Sequence, residues 1–574
     1  MRARHYSFGR PAAAQAVALL LLAAAGAGAV TNTGRAALDF VDCNGRVGFP
    51  EPEAQQGATN LNGDSDALDA PLQILTLSSG AITNVGVDAS GPLACGGKLF
   101  AFGVLEANQN DTDLNGDGDK FDYVLHVYDA VAATTTNLGL AVDRVKVDDA
   151  GGGLVAFTVP EASQGLGGTD LNGDGDKVDS VLHVYDPVSA TVTNLGIAVS
   201  SDLVVRGRLA AARVSEAEQG NTDLNADGDT ADYVLFVYDA DNPPLLNTHM
   251  AADKNVQVDG RVVAFNVSEK SQAHISLNGD ADAGDTVAHV YCAAGSSCAA
   301  GPGMHNLGVD ARGGITLGGP LLALHTRERN QGNVDLNGDL DRSDLVIQIY
   351  HVDTGVLTNT HIAGRMTRIV GGKMIIGVPE KWQAGTDLNG DLDRSDVVTE
   401  IYDTATSTVT NTGRALPRVC LREPGGKFRG ECFQASGDIL ALATNERAQN
   451  HNILNADGDL FDDVAEMWRL SDNTRVNSQF AIAHASAFAV GGTLGAFRVY
   501  EPDQRVVLNG DGDQNDRVMF VMNTATLTTT NLGYAAEAHF AVESGHVVWR
   551  TSETEQNVDL NGDGDKFDFV LLYQ

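Results

Sequence analysis

The sequence predicts an all-β fold, a β-propeller closed as one ring of ten four-stranded blades. Three observations carry that prediction. One unit of roughly 52 to 66 residues recurs ten times in the 574-residue chain. Each unit contains four short β-type runs, and such runs repeated at this length are the sequence sign of propeller blades. No long stretch has the amphipathic periodicity of a helix, while 64 glycines supply turns. Repetition overrides the several domains that length alone implies. Two rings of five blades are the alternative, since the spacing of the units does not forbid a break near the middle.

The chain opens with Arg2, Arg4 and Arg10, then an apolar stretch from Ala12 to Ala25 and small residues through Ala29. This is the pattern of a secretory signal peptide, and it falls short of the roughly 20 apolar residues of a transmembrane helix. Residues 1–29 are therefore read as the signal and 30–574 as the propeller, secreted, periplasmic or at the cell surface, with no transmembrane anchor. Within a unit a Gly turn and an apolar run come first, as in "GGLVAFTV" (Gly152 to Val159) and "GRVVAFNV" (Gly260 to Val267). An acidic loop follows. Then come an alternating run such as "VLHVYD" (Val124 to Asp129, Val181 to Asp186), a Thr/Asn strand such as "TVTNLG" ending at Gly196, and a more variable strand. The heptapeptide "VTNTGRA" at Val30 to Ala36 recurs at Val409 to Ala415 behind a strand of the type that ends the chain, "VLLYQ", which lacks its own successor. The N-terminal segment is thus expected to complete the last blade, leaving no open sheet edge.

The acidic loop is typified by "DLNGDGDKFD", Asp113 to Asp122; the copies begin at Asn60, Asp113, Asp170, Asp223, Ser276, Asp335, Asp387, Ile453, Val507 and Asp559. Position 2 is always Leu, and position 3 is always Asn: Asn62, Asn115, Asn172, Asn225, Asn278, Asn337, Asn389, Asn455, Asn509 and Asn561. Position 5 is always Asp: Asp64, Asp117, Asp174, Asp227, Asp280, Asp339, Asp391, Asp457, Asp511 and Asp563. Position 7 is Asp66, Asp119, Asp176, Asp229, Asp282, Asp341, Asp393, Asp459, Asp513 and Asp565. Position 10 is Asp69, Asp122, Asp179, Asp232, Asp285, Asp344, Asp396, Asp462, Asp516 and Asp568. Upstream of every loop stands Glu-x-x-Gln, with Glu53, Glu106, Glu161, Glu216, Glu269, Glu328, Glu380, Glu446, Glu501 and Glu553.

Calcium is a hard cation that takes six to eight oxygen ligands in flexible geometry. A loop alternating ligand and spacer can turn positions 1, 3, 5 and 7 toward one centre, in the second unit Asp113, Asn115, Asp117 and Asp119. Asp122 closes that loop, Glu106 reaches across it, and Gln109 is read as a backbone brace. Gly116 and Gly118 permit the tight backbone. Leu340 and Leu392 depart from that glycine pattern, and Ile453 and Val507 predict two sites short of a side-chain ligand. Asn-Gly-Asp strings are also turn formers, but a turn needs perhaps two such residues. Forty-six of the 76 acidic residues belong to these positions, and like charges so clustered repel strongly without a cation. Up to ten Ca2+ sites are therefore expected. Zinc and copper are not, for the cluster offers no recurring thiolate or imidazole.

The "G-x-x-V-A-F" and "V-x-V-Y-D" runs resemble TolB-type and WD40-like propeller repeats over nearly the whole mature chain. The loop resembles the D-x-[DN]-x-D calcium loops of dockerins, thrombospondin type 3 repeats and integrin-type FG-GAP propellers, and that resemblance implies metal binding. The ligand set does not carry over. An EF-hand has an acid at position 12, where this chain has Val124, and FG-GAP loops place the later Asp at position 9 rather than 10.

A formal charge of −38 argues against nucleic acid and anionic membranes as partners. Six cysteines in an exported chain favour disulfides: Cys43 with Cys95 at matching places in neighbouring units, Cys292 with Cys298, and Cys420 with Cys432 around the insertion of the longest unit. His126, His183 and His289 share a strand position that other units fill with Phe236, Gln348 and Glu400, so they are read as packing residues between blades. No nucleophile elbow, His-Glu-x-x-His or phosphate-binding Gly loop is present. The resulting expectation is a calcium-set binding or adhesion scaffold for a glycan or protein ligand. The alternative is a hydrolase or lyase of extracellular polysaccharide, with the Cys420 to Cys432 insertion as the first place to look.

Overall fold

The computed structural model describes residues 29–148, 153–199, 202–280, 282–417, 432–449, 452–482 and 488–574. The ten units form ten separate four-stranded antiparallel sheets. In blade 2 the strands are Leu93–Gly96, Leu99–Leu105, Tyr123–Asp129 and Thr134–Ala141. The second strand is apolar along its length because both faces are covered: residues 99–104 are all buried. The fourth strand begins with exposed Thr and Asn residues at the outer rim and becomes buried only at Ala141. The sequence order of apolar run, alternating run and polar run is thus the order of strands from the interior outward.

Blade 10 is assembled from both ends of the chain. Phe540–Glu543, His546–Ser552 and Phe569–Tyr573 are followed in the sheet by Thr31–Ala36. Asn32 pairs with Leu572 and Ala36 with Val570 across a bulge, the register in which Asn137 meets His126 and Ala141 meets Val124 in blade 2. The N-terminal segment therefore takes the place that an ordinary fourth strand holds.

One ring contains all ten blades. The first strand of each blade lies against the first strand of the next, and that of blade 10 returns to Val41–Cys43 of blade 1. Every interface between neighbouring blades holds its own apolar cluster. The closing one packs Phe40, Phe49 and Leu75 against Val548 and Leu571 of blade 10. Two rings of five blades are excluded by this closure.

Cys43 bonds Cys95, joining the first strands of blades 1 and 2, and Cys292 bonds Cys298 within blade 5. The expected bond of Cys432 to Cys420 has Cys420 outside the described residues, as are most of the signal region and the insertion between these cysteines. Among the described residues, no helix is long and apolar enough to cross a membrane. Since each acidic loop joins the second and third strands of an antiparallel blade, all ten loops emerge on one face of the ring.

Candidate metal centres

Each second strand runs directly into Glu-x-x-Gln. In blade 2 this is a single 3-10 turn, Glu106–Asn108; in blade 9 it is one α-turn, Glu501–Gln504. That turn carries the glutamate under the loop, and all ten of these glutamates are fully buried. Glu106 Oε1 accepts the N–H of Leu114 at 2.6 Å and Oε2 that of Asp122 at 3.4 Å. The bond from the position-2 N–H recurs in all ten units. The invariant glutamate is thus the strut that shapes the loop.

The loop winds as successive Asx turns. Asn115 Oδ1 accepts the N–H of Asp117, Asp117 Oδ1 that of Asp119, and Asp119 Oδ1 that of Phe121, at 3.1, 3.0 and 3.0 Å. Carboxylate oxygens of Glu106, Asp117, Asp119 and Asp122 then lie within 4.8 Å of one another, as do those of Glu446, Asp457, Asp459 and Asp462. The glutamate groups with positions 7 and 10 in Glu53, Asp66 and Asp69, in Glu161, Asp176 and Asp179, and in Glu216, Asp229 and Asp232.

Position 1 also braces its own loop. Asp113 Oδ1 and Oδ2 accept the N–H groups of Gly116 and Gly118 at 2.6 and 3.1 Å. Asp335 does the same for Gly338 and Leu340, and Asp387 for Gly390 and Leu392. Leu340 and Leu392 hold the left-handed conformation of the glycine they replace, φ +78° and +75°, with exposed side chains. Ile453 and Val507 therefore lack a loop brace.

Five oxygens in these clusters, Asp122 Oδ2, Asp232 Oδ2, Asp344 Oδ1, Glu446 Oε2 and Asp457 Oδ2, are buried and accept no hydrogen bond. A buried carboxylate oxygen without a donor is costly unless a cation faces it. Burial, with the neighbouring aspartates adding to it, pushes the position-10 carboxyls upward. Asp69, Asp179, Asp285, Asp344, Asp396, Asp462 and Asp516 rise to about 7, Asp122 and Asp568 to about 6, and Asp232 in the same direction. The donor set is all oxygen, partly buried and short of neutralising charge, which fits a hard divalent cation.

The loops also join blades. Gln109 Oε1 accepts the N–H of Asp88 at the end of the preceding blade's fourth strand, and the equivalent glutamine does so at every interface. The backbone-brace reading of Gln109 holds, with the brace crossing between blades. Asn115 Nδ2 donates to the carbonyl of Ser163 in the next blade, and Asn561 Nδ2 reaches Gln55 of blade 1 at 2.6 Å. A residue type the loop motif omits completes the set. Asn137, in the fourth strand, donates to the carbonyl of Leu114 at 3.0 Å and accepts the N–H of Gly139 at 2.7 Å. An equivalent Asn makes the same donation in all ten units. Its signal in the sequence is the recurring Asn of the Thr/Asn strand.

His126, His183 and His289 are buried between blades against Phe102, Phe157 and Phe265. Burial lowers the pKa of each, and their Nδ1 atoms sit 3.0–3.1 Å from backbone carbonyls. They are packing residues, as their variability implies.

No protein-family model matches the chain, and no curated protein matches it. Among solved structures it is similar to the β-propeller domain of the Trilobed protease from Pyrococcus furiosus, at 9% identity and TM-score 0.28, over 67% of this chain and 98% of that one. BamB from Moraxella catarrhalis is similar at 12% identity and TM-score 0.27, over 77% and 85% of the two chains. TolB from Acinetobacter baumannii is similar at 10% identity and TM-score 0.24, over 68% and 78%.

Proposed function

We propose that this chain is an exported calcium-binding propeller that serves as a binding or adhesion scaffold for a glycan or protein ligand. The observation that carries the reading is the repeated cluster of Glu and Asp carboxylates with buried oxygens that no hydrogen bond satisfies. In the second unit Glu106, Asp117, Asp119 and Asp122 hold the ion, and the equivalent residues do so elsewhere. The cation supplies positive charge where four carboxylates meet. The chain's own part is to fix those carboxylates through the Glu106 strut and the Asx turns, and to tie each loop to the next blade through Asn115 and Gln109.

The position-2, Asx-turn, bridging-glutamine and strand-asparagine hydrogen bonds recur in every blade, and a ring so uniform supports a scaffold over an enzyme, which breaks its repeat at one catalytic site. The disulfides fit an oxidising compartment outside the cytosol. Equilibrium dialysis with calcium on the full-length mature protein tests the first half: saturable binding of up to ten ions per chain is expected, and no saturable binding contradicts it. Glycan arrays and envelope fractions probed with calcium and with chelator, beside a hydrolase and lyase screen, test the second half. Calcium-dependent capture of a defined ligand supports the scaffold; catalytic turnover contradicts it.

A further inference from the structure

One arc of the ring differs from the rest on the face where the acidic loops emerge. Directly after the strut glutamate stand Lys270, Arg329, Lys381 and Arg447 in blades 5, 6, 7 and 8, four neighbours in the ring, whereas the other six blades carry Ala, Pro or Thr there. Loop position 8 adds Arg342 in blade 6 and Arg394 in blade 7. All six side chains are exposed. In a chain with 76 acidic and 38 basic residues, cations set among carboxylates should be engaged in ion pairs. Among the described residues, none of these six forms one. Lysines at loop position 8 elsewhere behave differently, because they turn onto their own loops: Lys177 donates to the carbonyl of Gly168 at 2.7 Å and Lys566 to that of Asn557 at 2.8 Å.

Within this arc a cleft of about 410 Å³ opens between blades 7 and 8, lined by Asp393, Asp396, Asn445, Arg447, Leu460 and Phe461. Its volume is that of a small-molecule site. The walls ask for different groups on one ligand. Arg447 suits a carboxylate, which a guanidinium holds in charge-assisted hydrogen bonds. Asp393 is exposed at the rim, and a carboxylate with several lone pairs accepts hydroxyl groups. Phe461, 77% exposed, presents a ring on which the C–H face of a pyranose packs. One cation per blade from Lys270 to Arg447 then repeats the demand for an acid along the arc. The set describes a polymer that carries an acid and hydroxyls on each unit. A nucleic-acid backbone meets it less well, since it supplies phosphates but few hydroxyl donors for the aspartates between the cations.

We propose that the arc of blades 5 to 8 binds an acidic polysaccharide of uronic acid units, with one sugar seated in the cleft against Arg447 and Phe461. The inference rests on the scaffold reading above and names its ligand class. Its test is titration of the full-length mature protein in calcium with three probes: short oligogalacturonate, the same oligomer methyl-esterified, and single-stranded DNA. The proteins are the wild type, Lys381→Gln, Arg447→Gln, Phe461→Ala and the control Lys566→Gln. The wild type is expected to bind the acid roughly tenfold or more tighter than the ester, with affinity falling as salt rises. Lys381→Gln and Arg447→Gln should each lose roughly threefold to tenfold, Phe461→Ala should weaken binding as well, and Lys566→Gln should match the wild type. Equal affinity for acid and ester, wild-type affinity in both Lys381→Gln and Arg447→Gln, or tighter binding of the DNA overturns the inference. A wild type that binds none of the three probes also overturns it and leaves the scaffold reading to the wider glycan and envelope screen. Cleavage of the oligogalacturonate overturns the scaffold reading instead and keeps the arc as the place where the chain lies.

Discussion

Glu106 offers the sharpest separation of strut from ligand. It is fully buried and holds the N–H groups of Leu114 at 2.6 Å, Asn115 at 3.3 Å and Asp122 at 3.4 Å. In Glu106→Ala, at least the first N–H is left buried without an acceptor, and a hydrogen bond to a charged group is worth about 1.5–3 kcal/mol. With the weaker contacts added, the local cost is about 3 kcal/mol, and the Leu114 amide should exchange with solvent about 100-fold faster if local opening governs its exchange. Glu106→Gln keeps one oxygen for Leu114 and removes one of four converging charges. It should therefore cost stability in calcium, where a ligand is lost, and cost less or nothing in chelator, where repulsion is relieved. Hydrogen exchange of the Leu114 amide and melting in both conditions read the two variants. Equal losses for Glu106→Gln with and without calcium refute the reasoning, since they make the glutamate a strut alone.

Three further outcomes follow from the same geometry. In chelator the protein should melt higher at pH 6 than at pH 7.5: the position-10 carboxyls sit above their unfolded value, nine of them at about 6 to 7, so the stability they give is present at low pH and lost as pH rises through that window. Buried His289 and His325, lowered to about 4, and His126 and His183, lowered in the same direction, act in the opposite sense below about pH 6.5, and ten aspartates outweigh these four; a lower midpoint at pH 6 contradicts the assignment. Replacing Cys43 should cost about 4 kcal/mol and replacing Cys292 about 2, from closed loops of 52 and 6 residues, and denaturant melts that reverse that order count against the loop-entropy account. Asn137→Ala removes bonds to Leu114 and Gly139 and should cost about 1–3 kcal/mol with faster exchange at Gly139, whereas an unchanged Gly139 amide contradicts the role.

Much of this fold was legible because the chain repeats itself. The strand order, the N-terminal strand paired as Ala36 with Val570 and the Cys43 to Cys95 bond follow from matching one unit to another. One ring over two followed from the match of Val30 to Ala36 with the strand the last blade lacks, whereas the spacing of units alone left the two open. Asp113 was read as a ligand because alternation places it in phase with Asp117. The structure adds a role that alternation does not show, since its oxygens accept the N–H groups of Gly116 and Gly118, the local bonding that aspartate favours in turns. The partners of Gln109 and Asn115 escaped the sequence for a different reason. Their recurrence is plain, but each partner lies in a neighbouring blade, and only the closed ring brings the two together.

The central claim is that the ten loops are cation sites and not bare turns. Its most direct test is a melting curve of the full-length protein in about 1 mM free calcium and in excess chelator. If each site binds with a dissociation constant near 0.1 mM, calcium adds about 1.4 kcal/mol per site and at most on the order of 14 kcal/mol for ten. The account predicts a large, saturable rise in the midpoint with calcium, together with protease cuts at the loops when chelator is present. A midpoint that calcium leaves unchanged contradicts it and makes the loops turns.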